Sequence, residues 1–458
     1  MSCGRWRRRA WFSPSAFPDD PYNSVFRPAL GPSLRISLTS FQAPRGTTDL
    51  LPEEQKYWRY IESKAVALAR RYGFWRIDSP TFEDANLFVR SVGEGTDLVE
   101  KEMYTFEDRG RDKLTLRPEG TAPVCRAYLE HGMHNLPQPV RLYYFCPVFR
   151  YERPQAGRYR EHHQFGIEII GDPDPSVDAE VIELGWQLMS SLGLRDLDLF
   201  LNSIGDSQCR PNYVAELKAY YTGYQDRICP DCRNRLTRNP LRLLDCKVET
   251  CRALGEAAPR SIDHLCTECQ DHWDRLQQNL QAMGIPYQVD HRLVRGLDYY
   301  TRTVFEIQPA DAGGQTTICG GGRYDGLIEQ LGGRPTPGIG FGSGMERLSL
   351  NLKRSGVEVP EEPSPSYLVA NVGEAARGPA LELASRIRRA GVGAILSSGS
   401  RALRGQMRQA NALGIPYVAI LGDDEIARGE VVIRDMKTST QEARPLTEFL
   451  ESLEGQSR

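Results

Sequence analysis

The sequence predicts an α+β protein that carries a helical insertion and ends in a smaller α/β domain. Three stretches of the chain predict this fold. Residues 141–171 hold two aromatic and β-branched runs around a charged loop, which is typical of a β-hairpin. Residues 206–286 are polar, helical in pattern and rich in cysteine. From Tyr367 onwards, strand-like and helix-like segments alternate regularly.

The composition is that of an ordinary globular protein, with 40% hydrophobic and 26% charged residues in a chain of 458. This length suggests about three domains. The sequence does not predict a membrane-spanning helix, because no apolar run approaches the required length. The net charge of −3 restricts nucleic-acid binding to local basic patches. Eleven cysteines without a signal peptide indicate a reducing compartment and therefore a cytoplasmic location.

The first forty residues differ from the rest of the chain. Residues 1–40 are rich in Arg, Pro and Ser, and we interpret them as a disordered extension, with a transit peptide or a mis-assigned start as alternatives. Folding is expected to begin at Phe41. A helix should start at Pro52 and end at Gly73. The following strand is broken at Pro80, so it should lie at a sheet edge or a bend, and an exposed strand edge beside the helix could form a dimer surface.

The hairpin loop of residues 150–161 has four arginines at its tip. Arginine gives planar, paired hydrogen bonds to phosphate, and Glu152 can accept bonds from an amine or orient an arginine. A solvated loop is the alternative for any single arginine. Four cations between two buried strands favour a phosphate site instead, beginning with Arg150 at the strand end.

Further polar residues lie where strands meet helices or turns. Glu119 and Thr121 stand at a strand-to-helix corner that can face a pocket, although Glu119 could instead cap the helix. Residues 295–300 combine charge with two tyrosines, as in the wall of a site that holds a polar ring. The glycines at 320–322 permit close approach of a ligand or form a turn. Arg347 follows a glycine-rich strand that leaves room for a flat ligand.

The insertion contains two CxxC motifs. We predict a structural zinc ion bound by Cys229, Cys232, Cys266 and Cys269, because each motif can present two thiolates from one turn. Four cysteine ligands leave no open coordination position, which excludes a catalytic role for this ion. Free thiols are the alternative.

A linker at 356–366 precedes the last domain, in which three arginines are predicted to share one face of the second helix. These are Arg401, Arg404 and Arg408. A solvated helix face is the ordinary reading of such a pattern. In a chain that handles phosphates elsewhere, the pattern also fits a nucleic-acid surface.

Several segments together resemble the histidyl-tRNA synthetase family of class II aminoacyl-tRNA synthetases, in its bacterial form. WRIDSPTFED, FRYERPQAGRYREHHQFGIEI and GIGFGSGMERL are similar to the three class II motifs, and RGLDYYTRTVFE is similar to the histidine-specific signature. LRPEGTA and GGGRYDGL belong to the same pattern. The resemblance implies an antiparallel-sheet catalytic domain at 41–205 and 287–355, the insertion at 206–286 and an anticodon-binding domain at 367–458.

The resemblance implies ligation of histidine to histidine tRNA through histidyl-adenylate, with ATP as substrate, Mg²⁺ on its phosphates and a homodimeric enzyme. It gives Arg150 and Arg295 as the catalytic arginines at the α-phosphate. The positions matching the ATP site are Arg150, Glu152, Arg158, His162 and Arg347. The positions matching the histidine site are Glu119, Thr121, Gln164, Glu168, Tyr299 and Tyr300. The tRNA is expected at Arg401, Arg404 and Arg408.

One position departs from the family pattern: His162 stands where Phe is usual. A histidine stacks more weakly on adenine and could titrate near neutral pH. The second hypothesis for the whole chain is a non-catalytic regulatory subunit of histidine biosynthesis. Such relatives lack the anticodon-binding domain and the catalytic arginines, and this sequence has both.

Overall fold

The computed structural model describes residues 41–93, 95–153, 157–310, 317–362, 364–397 and 401–454. The predicted extension at 1–40 lies outside the described residues. Among the described helices, none is long and apolar enough to cross a membrane.

The strands of the described ranges are β1 Trp75–Arg76, β2 Phe82–Asp84, β3 Tyr104–Glu107, β4 Lys113–Leu116, β5 Val140–Phe149, β6 Glu161–Ile170, β7 Leu197–Ser203, β8 Gln288–Val289, β9 Thr301–Pro309, β10 Cys319–Arg323, β11 Gly338–Gly344, β12 Tyr367–Asn371, β13 Ala394–Leu396, β14 Tyr417–Leu421, β15 Glu430–Asp435 and β16 Gln441–Pro445. The α-helices are α1 Pro52–Arg71, α2 Ala85–Val92, α3 Thr121–Glu130, α4 Pro175–Ser191, α5 Arg210–Thr222, α6 Pro230–Arg238, α7 Glu249–Glu256, α8 Thr267–Ala282, α9 Leu327–Gln330, α10 Met345–Arg354, α11 Arg377–Arg389, α12 Leu403–Ala412, α13 Asp423–Arg428 and α14 Leu446–Glu454.

An eight-stranded sheet organises the described part of residues 45–355, in the order β1-β5-β6-β11-β10-β9-β7-β8. Its six central strands pair antiparallel, and only the short outer strands β1 and β8 pair parallel to their neighbours. The predicted hairpin is β5 and β6, paired along ten residues from Val140↔Ile170 to Phe149↔Glu161. The α+β prediction is therefore confirmed.

The two faces of this sheet are lined by different sets of side chains, because successive side chains of a strand point to opposite faces. On β6, Phe165, Ile167 and Ile169 pack with α1, α4 and α10 in one hydrophobic core. The alternate residues of the same strand face the other way. That opposite face is covered only in part, by α2, α3 and helices of the insertion, and it carries the candidate site.

The predicted helix at the start of the folded chain is α1, with Pro52 in its first turn and Trp58, Ile61, Ala65 and Leu68 buried. The strand broken at Pro80 forms β1 and β2, which belong to different sheets. β2, β3 and β4 make a separate three-stranded sheet next to α2. Helices α5 to α8 fall within the predicted insertion, whose boundaries stay predictions.

The last strands form a five-stranded mixed sheet, in the order β13-β12-β14-β15-β16. β12 pairs parallel with β13 and β14, and β15 and β16 add antiparallel strands. Helices α11 and α14 pack over a core that includes Val369, Leu383 and Phe449. The predicted β-α alternation is confirmed.

Candidate active site

A strip of glycines forms the floor of the site on β10 and β11. A Cβ atom added at Gly340 would lie 1.9 Å from Oε2 of Glu168, and one at Gly342 would lie 1.6 Å from Nε2 of Gln164. A Cβ at Gly320 would lie 2.7 Å from Nη1 of Arg295. The glycines therefore make room for functional side chains of neighbouring segments. The turn considered as an alternative at 320–322 was wrong, because these residues lie in strand β10. Gly320, Gly342 and Gly344 line the adjoining cavity, so the expected room for a ligand stays a prediction.

The carboxyl group of Glu168 lies at the centre of a buried hydroxyl cluster. It accepts hydrogen bonds from Thr121 Oγ1 at 2.8 Å, from the Tyr144 hydroxyl at 3.0 Å and from the Tyr324 hydroxyl at 2.7 Å. Burial raises the pKa of Glu168 to about 8, although these hydrogen bonds favour the charged form and oppose the rise. At neutral pH a large share of Glu168 is therefore protonated, in a pocket that can both donate and accept hydrogen bonds.

Glu119 caps helix α3 from a buried position. Its two oxygens accept from the backbone N–H groups of Thr121 at 2.7 Å and Ala122 at 2.8 Å, and the Tyr299 hydroxyl lies 3.3 Å from Oε2. Burial raises the pKa of this carboxyl group. The capping role considered from the sequence is thus present. A carboxylate has about four lone-pair positions, so the cap leaves Glu119 able to accept from a bound amine as well.

Arg295 lies beside these residues, and Glu306 of β9 holds its guanidinium group. Nη1 of Arg295 donates to Oε1 of Glu306, while Gln308 at 2.8 Å and Thr317 at 2.6 Å donate to Oε2. Burial works against the charged form of Arg295, but Glu306 together with Tyr300 and Tyr299 outweighs it, and the pKa of Arg295 is raised. The Nε atom of Arg295 is buried and has no hydrogen-bond partner within the described ranges. Arg295 also lines the neighbouring cavity, where its charge can face a ligand.

Arg295 lines a cavity of about 900 Å³, and further cations converge on it. Its lining includes Arg150, Arg158, Gln164, Arg295, Glu306 and Arg347. Arg150 donates from Nε to the Pro118 carbonyl at 2.8 Å, and Arg158 lies 3.1 Å from Glu152. Arg347 donates to the carbonyls of Gly157 and Thr317. Burial lowers the pKa of Arg347, and the charge of Arg158 adds to that effect. A concentration of positive charge in a concave site suits a polyanion such as a nucleotide triphosphate.

His162 lines this cavity as a neutral side chain. Burial, together with the nearby charges of Arg150 and Arg347, lowers the pKa of His162 to about 3. The expectation that His162 titrates near neutral pH was therefore wrong, because protonation would add a buried charge beside two arginines.

Comparisons with known proteins identify the family. The sequence matches the family described as histidyl-tRNA synthetase over residues 46–206 and 237–348. It matches the anticodon binding domain over 367–456. The chain belongs to the histidyl-tRNA synthetase family. Membership makes it an aminoacyl-tRNA ligase, and the class II fold expected from the sequence is confirmed.

Individual relatives agree with this assignment. The histidine–tRNA ligase of Dehalococcoides mccartyi strain 195 is 57% identical over 410 residues, which cover 90% of this chain and 98% of the relative. The histidine–tRNA ligase of Caldicellulosiruptor saccharolyticus is 49% identical over 402 residues, covering 88% and 96%. The crystal structure of apo S. aureus histidyl-tRNA synthetase matches with a TM-score of 0.76 and 39% identity, covering 90% of this chain and all of that one.

The members of the predicted histidine-binding set lie close together in this synthetase-family fold. Thr121 contacts Glu168, and Tyr299 contacts both Glu119 and the ring of Tyr300, whose centroid is 4.7 Å away. Gln164 lies nearer the cavity, and its Oε1 is buried without a partner in the described part of the chain. The predicted ATP-binding set, including Glu152 and His162, lines the adjoining cavity.

The predicted zinc ligands do not come together. Cys229 and Cys232 lie with Cys246 and Cys251 in one cluster, and Cys266 and Cys269 lie with Asp206 and Cys209 in another. The quartet expected from the two CxxC motifs was therefore wrong. The first motif meets two cysteines that follow it in the chain, and the second motif meets two residues from the start of the insertion.

The three arginines of the last domain are exposed, as expected for a surface that could bind a polyanion. Arg404 and Arg408 lie on α12, but Arg401 lies before the helix, which begins at Leu403. Arg401 reaches along the helix and donates to Gln409 at 3.4 Å. The prediction that all three are helical was wrong at Arg401.

Three residues of the site were not singled out from the sequence: Tyr144, Glu306 and Tyr324. Glu306 gave one usable signal, because it is a charged residue between Phe305 and Ile307 in a strand whose alternate residues are apolar. The two tyrosines lie in aromatic strand and turn segments that read equally well as core. Only the fold shows that both hydroxyls meet Glu168.

Proposed function

We propose that the cavity and the adjoining buried pocket activate histidine with ATP and then pass it to histidine tRNA. A histidine carboxylate oxygen attacks the α-phosphorus of ATP, the bond to the β-phosphate oxygen breaks, and pyrophosphate leaves. The 3′-terminal hydroxyl group of the tRNA then attacks the carbonyl carbon, and AMP leaves. The observation that carries the proposal is Arg295 held by Glu306 between the cation-lined cavity and the buried pocket.

Arg150 and Arg295 are the proposed catalytic residues. Negative charge builds up on the α-phosphate in the transition state, and fixed cations in a site of low dielectric constant stabilise it without reorganising. Arg158 and Arg347 are proposed to bind the outer phosphates and the adenine side, with Glu152 orienting Arg158 and His162 against the base. Mg²⁺ on the phosphates would share this charge, so the reaction should stop when EDTA removes it.

The buried pocket is proposed to select histidine. Glu119 and Thr121 would hold the α-amino group, with Gln164 near the carboxylate. Glu168 and Tyr300, assisted by Tyr299, would contact the two ring nitrogens. A site built to hydrogen-bond a polar ring rejects analogues that lack the nitrogens, because its own buried polar groups would be left unpaired.

We further propose that Arg401, Arg404 and Arg408 contact the tRNA. Replacing the three with alanine should raise the KM for tRNA and weaken its salt dependence, while leaving pyrophosphate exchange intact. An unchanged KM for tRNA would remove them from the interface. Arg428→Ala serves as the control, because Arg428 lies in the same domain but pairs with Glu425 and Glu430.

A homodimer in the cytoplasm is the proposed working form. The end strand β1 exposes Trp75, whose relative accessibility is 78%, and an exposed aromatic side chain on an edge strand suits a contact with a second copy. Sedimentation analysis should give twice the chain mass, and a monomer at micromolar concentration would contradict the dimer. Cell fractionation tests the location.

The experiment that tests the function itself is amino-acid-dependent exchange of pyrophosphate into ATP, followed by charging of histidine tRNA. Histidine should support exchange, and the other standard amino acids should not. The regulatory-subunit alternative predicts no exchange with any amino acid. A pure, folded protein without histidine-dependent exchange would contradict the proposal.

A further inference from the structure

Four cysteines of the insertion converge on one point. Cys229 precedes helix α6 and Cys232 lies in its first turn, while Cys246 and Cys251 approach from the loop before α7 and from α7 itself. Their four sulfur atoms lie within 4.8 Å of one another. Cys232, Cys246 and Cys251 are buried. The convergence comes from three separate segments, so it is a tertiary feature of the insertion.

A second cluster of the same kind lies at the junction of the insertion with the large sheet. Cys266 precedes α8 and Cys269 lies in its first turn, which repeats the arrangement of Cys229 and Cys232 on α6. Asp206 and Cys209, just after β7, complete the group. A carboxylate oxygen and three sulfur atoms again lie within 4.8 Å of one another.

The spacing of the sulfur atoms fits a metal ion better than a disulfide. Sγ of Cys229 and Sγ of Cys246 are 3.9 Å apart, whereas a disulfide holds its sulfur atoms at about 2.0 Å. With Zn–S bonds of about 2.3 Å, the edge of a regular tetrahedron is about 3.8 Å. A four-iron cluster would bind each cysteine to a different iron atom and hold the sulfur atoms further apart.

From these two groups we propose that the chain binds two zinc ions at separate structural sites. The first site has the ligands Cys229, Cys232, Cys246 and Cys251, and the second has Asp206, Cys209, Cys266 and Cys269. Both sites are closed by four protein ligands and leave no position for substrate. The proposal replaces a single ion between the two CxxC motifs, and it is independent of the proposed function.

The charges of the two sites balance in the same way. Each cysteine would bind as a thiolate and release its proton to solvent. Four thiolates at the first site, and three thiolates with one carboxylate at the second, each give a net charge of 2− with Zn²⁺. The backbone N–H of Cys229 donates to Sγ of Cys251 at 3.2 Å, and that of Asp206 donates to Sγ of Cys209 at 3.4 Å. N–H groups directed at sulfur stabilise thiolates. Arg302 lies 3.4 Å from Asp206 and supplies a cation at the second site.

Each ion would support a different wall of the active site. Cys246 and its neighbours Asp245 and Lys247 line the cavity, so the first ion would fix that loop. Next to the second site, Arg210 donates to the backbone carbonyl of Tyr300 at 2.5 Å. The second ion would therefore hold the segment that carries the proposed histidine-binding tyrosines.

The test is the zinc content of the untagged full-length protein, purified with a thiol reductant and without chelator, and measured by inductively coupled plasma mass spectrometry. The wild type should contain two zinc ions per chain. Cys246→Ala and Cys209→Ala should each contain one, and the double variant none. Cys319→Ala is the matched control, because Cys319 is a buried thiol outside both clusters and its loss should leave two ions.

Cobalt substitution tests both sites together even if the variants prove unstable. Wild-type protein loaded with Co²⁺ should bind two ions with the visible bands of tetrahedral coordination, and its near-ultraviolet thiolate bands should correspond to seven sulfur ligands in total. One or no metal ion in folded, reduced wild type would overturn the proposal. So would a single ion that is lost in Cys232→Ala and Cys269→Ala but kept in Cys246→Ala and Cys209→Ala.

Discussion

Glu306 holds Arg295 by a direct ion pair from the neighbouring strand, and two further donors fix the other oxygen of the same carboxylate. The guanidinium group is thereby placed at the boundary between the cation-lined cavity and the buried pocket. In our account Glu306 is a positioning residue, because it acts on the reaction only through Arg295.

Removing Glu306 should therefore impair turnover more than binding. We expect Glu306→Ala to lower kcat for pyrophosphate exchange by about ten- to hundredfold, since a freed arginine loses its fixed direction. Glu306→Gln keeps an acceptor for Arg295 and should recover part of the rate. Steady-state kinetics that give kcat and the KM values for ATP and histidine separate the effect on turnover from the effect on binding. Equal losses of kcat in the two variants, or a lower melting temperature with unchanged kcat, would contradict the role of Glu306 in orienting Arg295.

The raised pKa of Glu168 predicts a pH dependence of stability. In the unfolded chain a glutamate loses its proton near pH 4.5, whereas in the folded protein burial raises the pKa to about 8. Between these values the folded state binds the extra proton, so the contribution of Glu168 to the free energy of unfolding falls as the pH rises. Glu168→Gln keeps a neutral side chain at every pH.

The measurement is the melting temperature of wild type and Glu168→Gln at pH 5, 6, 7 and 8. The wild type should lose stability relative to the variant as the pH rises through this series. A constant difference between the two proteins would show that Glu168 does not take up a proton on folding.

Gly340 should not tolerate a side chain. The Cβ atom of Gly340→Ala would lie 1.9 Å from the Glu168 carboxylate, so either the strand or Glu168 must move. We expect a loss of several kcal/mol in the free energy of unfolding, or a folded protein that no longer binds histidine. Gly378→Ala is the control, because Gly378 is exposed on α11 with nothing within 4 Å of the added atom. Thermal unfolding and equilibrium dialysis with histidine report both effects, and wild-type values for Gly340→Ala would contradict the packing argument.

His162 should behave as a neutral ring throughout the physiological range. Its pKa of about 3 keeps it uncharged at pH 6 and at pH 8, so the ratio of the KM for ATP in wild type to that in His162→Phe should be equal at both values. If the ring stacks on adenine, phenylalanine should lower the KM. A ratio that changes severalfold between the two pH values would mean that His162 titrates there.

The sequence predicts the elements whose periodicity is local. Helix α1, the β5–β6 hairpin and the C-terminal β-α alternation follow from apolar spacing and from Pro and Gly at their ends. Strand alternation also places His162, Gln164 and Glu168 on one face of β6. Their shared face therefore follows from the spacing of these residues along the strand.

Contacts between side chains of different segments could not be predicted from the sequence in this way. Cys209 lies about as near to Cys229 and Cys232 in the sequence as Cys246 and Cys251 do, and only the folded insertion shows which cysteines meet. The ion pair of Arg295 with Glu306 joins a loop to a strand across eleven positions, with no repeating pattern to mark it. The buried contact of His272 with Asp178, at 3.1 Å, ties the insertion to α4 and was likewise invisible in the sequence.

The most direct test of the central claim is the rate of histidine-dependent pyrophosphate exchange in Arg295→Ala. Loss of one fixed cation at the transition state should lower kcat by about 10²- to 10³-fold, with a smaller change in the KM for histidine. Arg275→Ala is the control, because Arg275 is an exposed arginine of α8 that pairs with Asp174, and it should keep the wild-type rate. A folded Arg295→Ala protein that exchanges pyrophosphate as fast as this control would contradict the account.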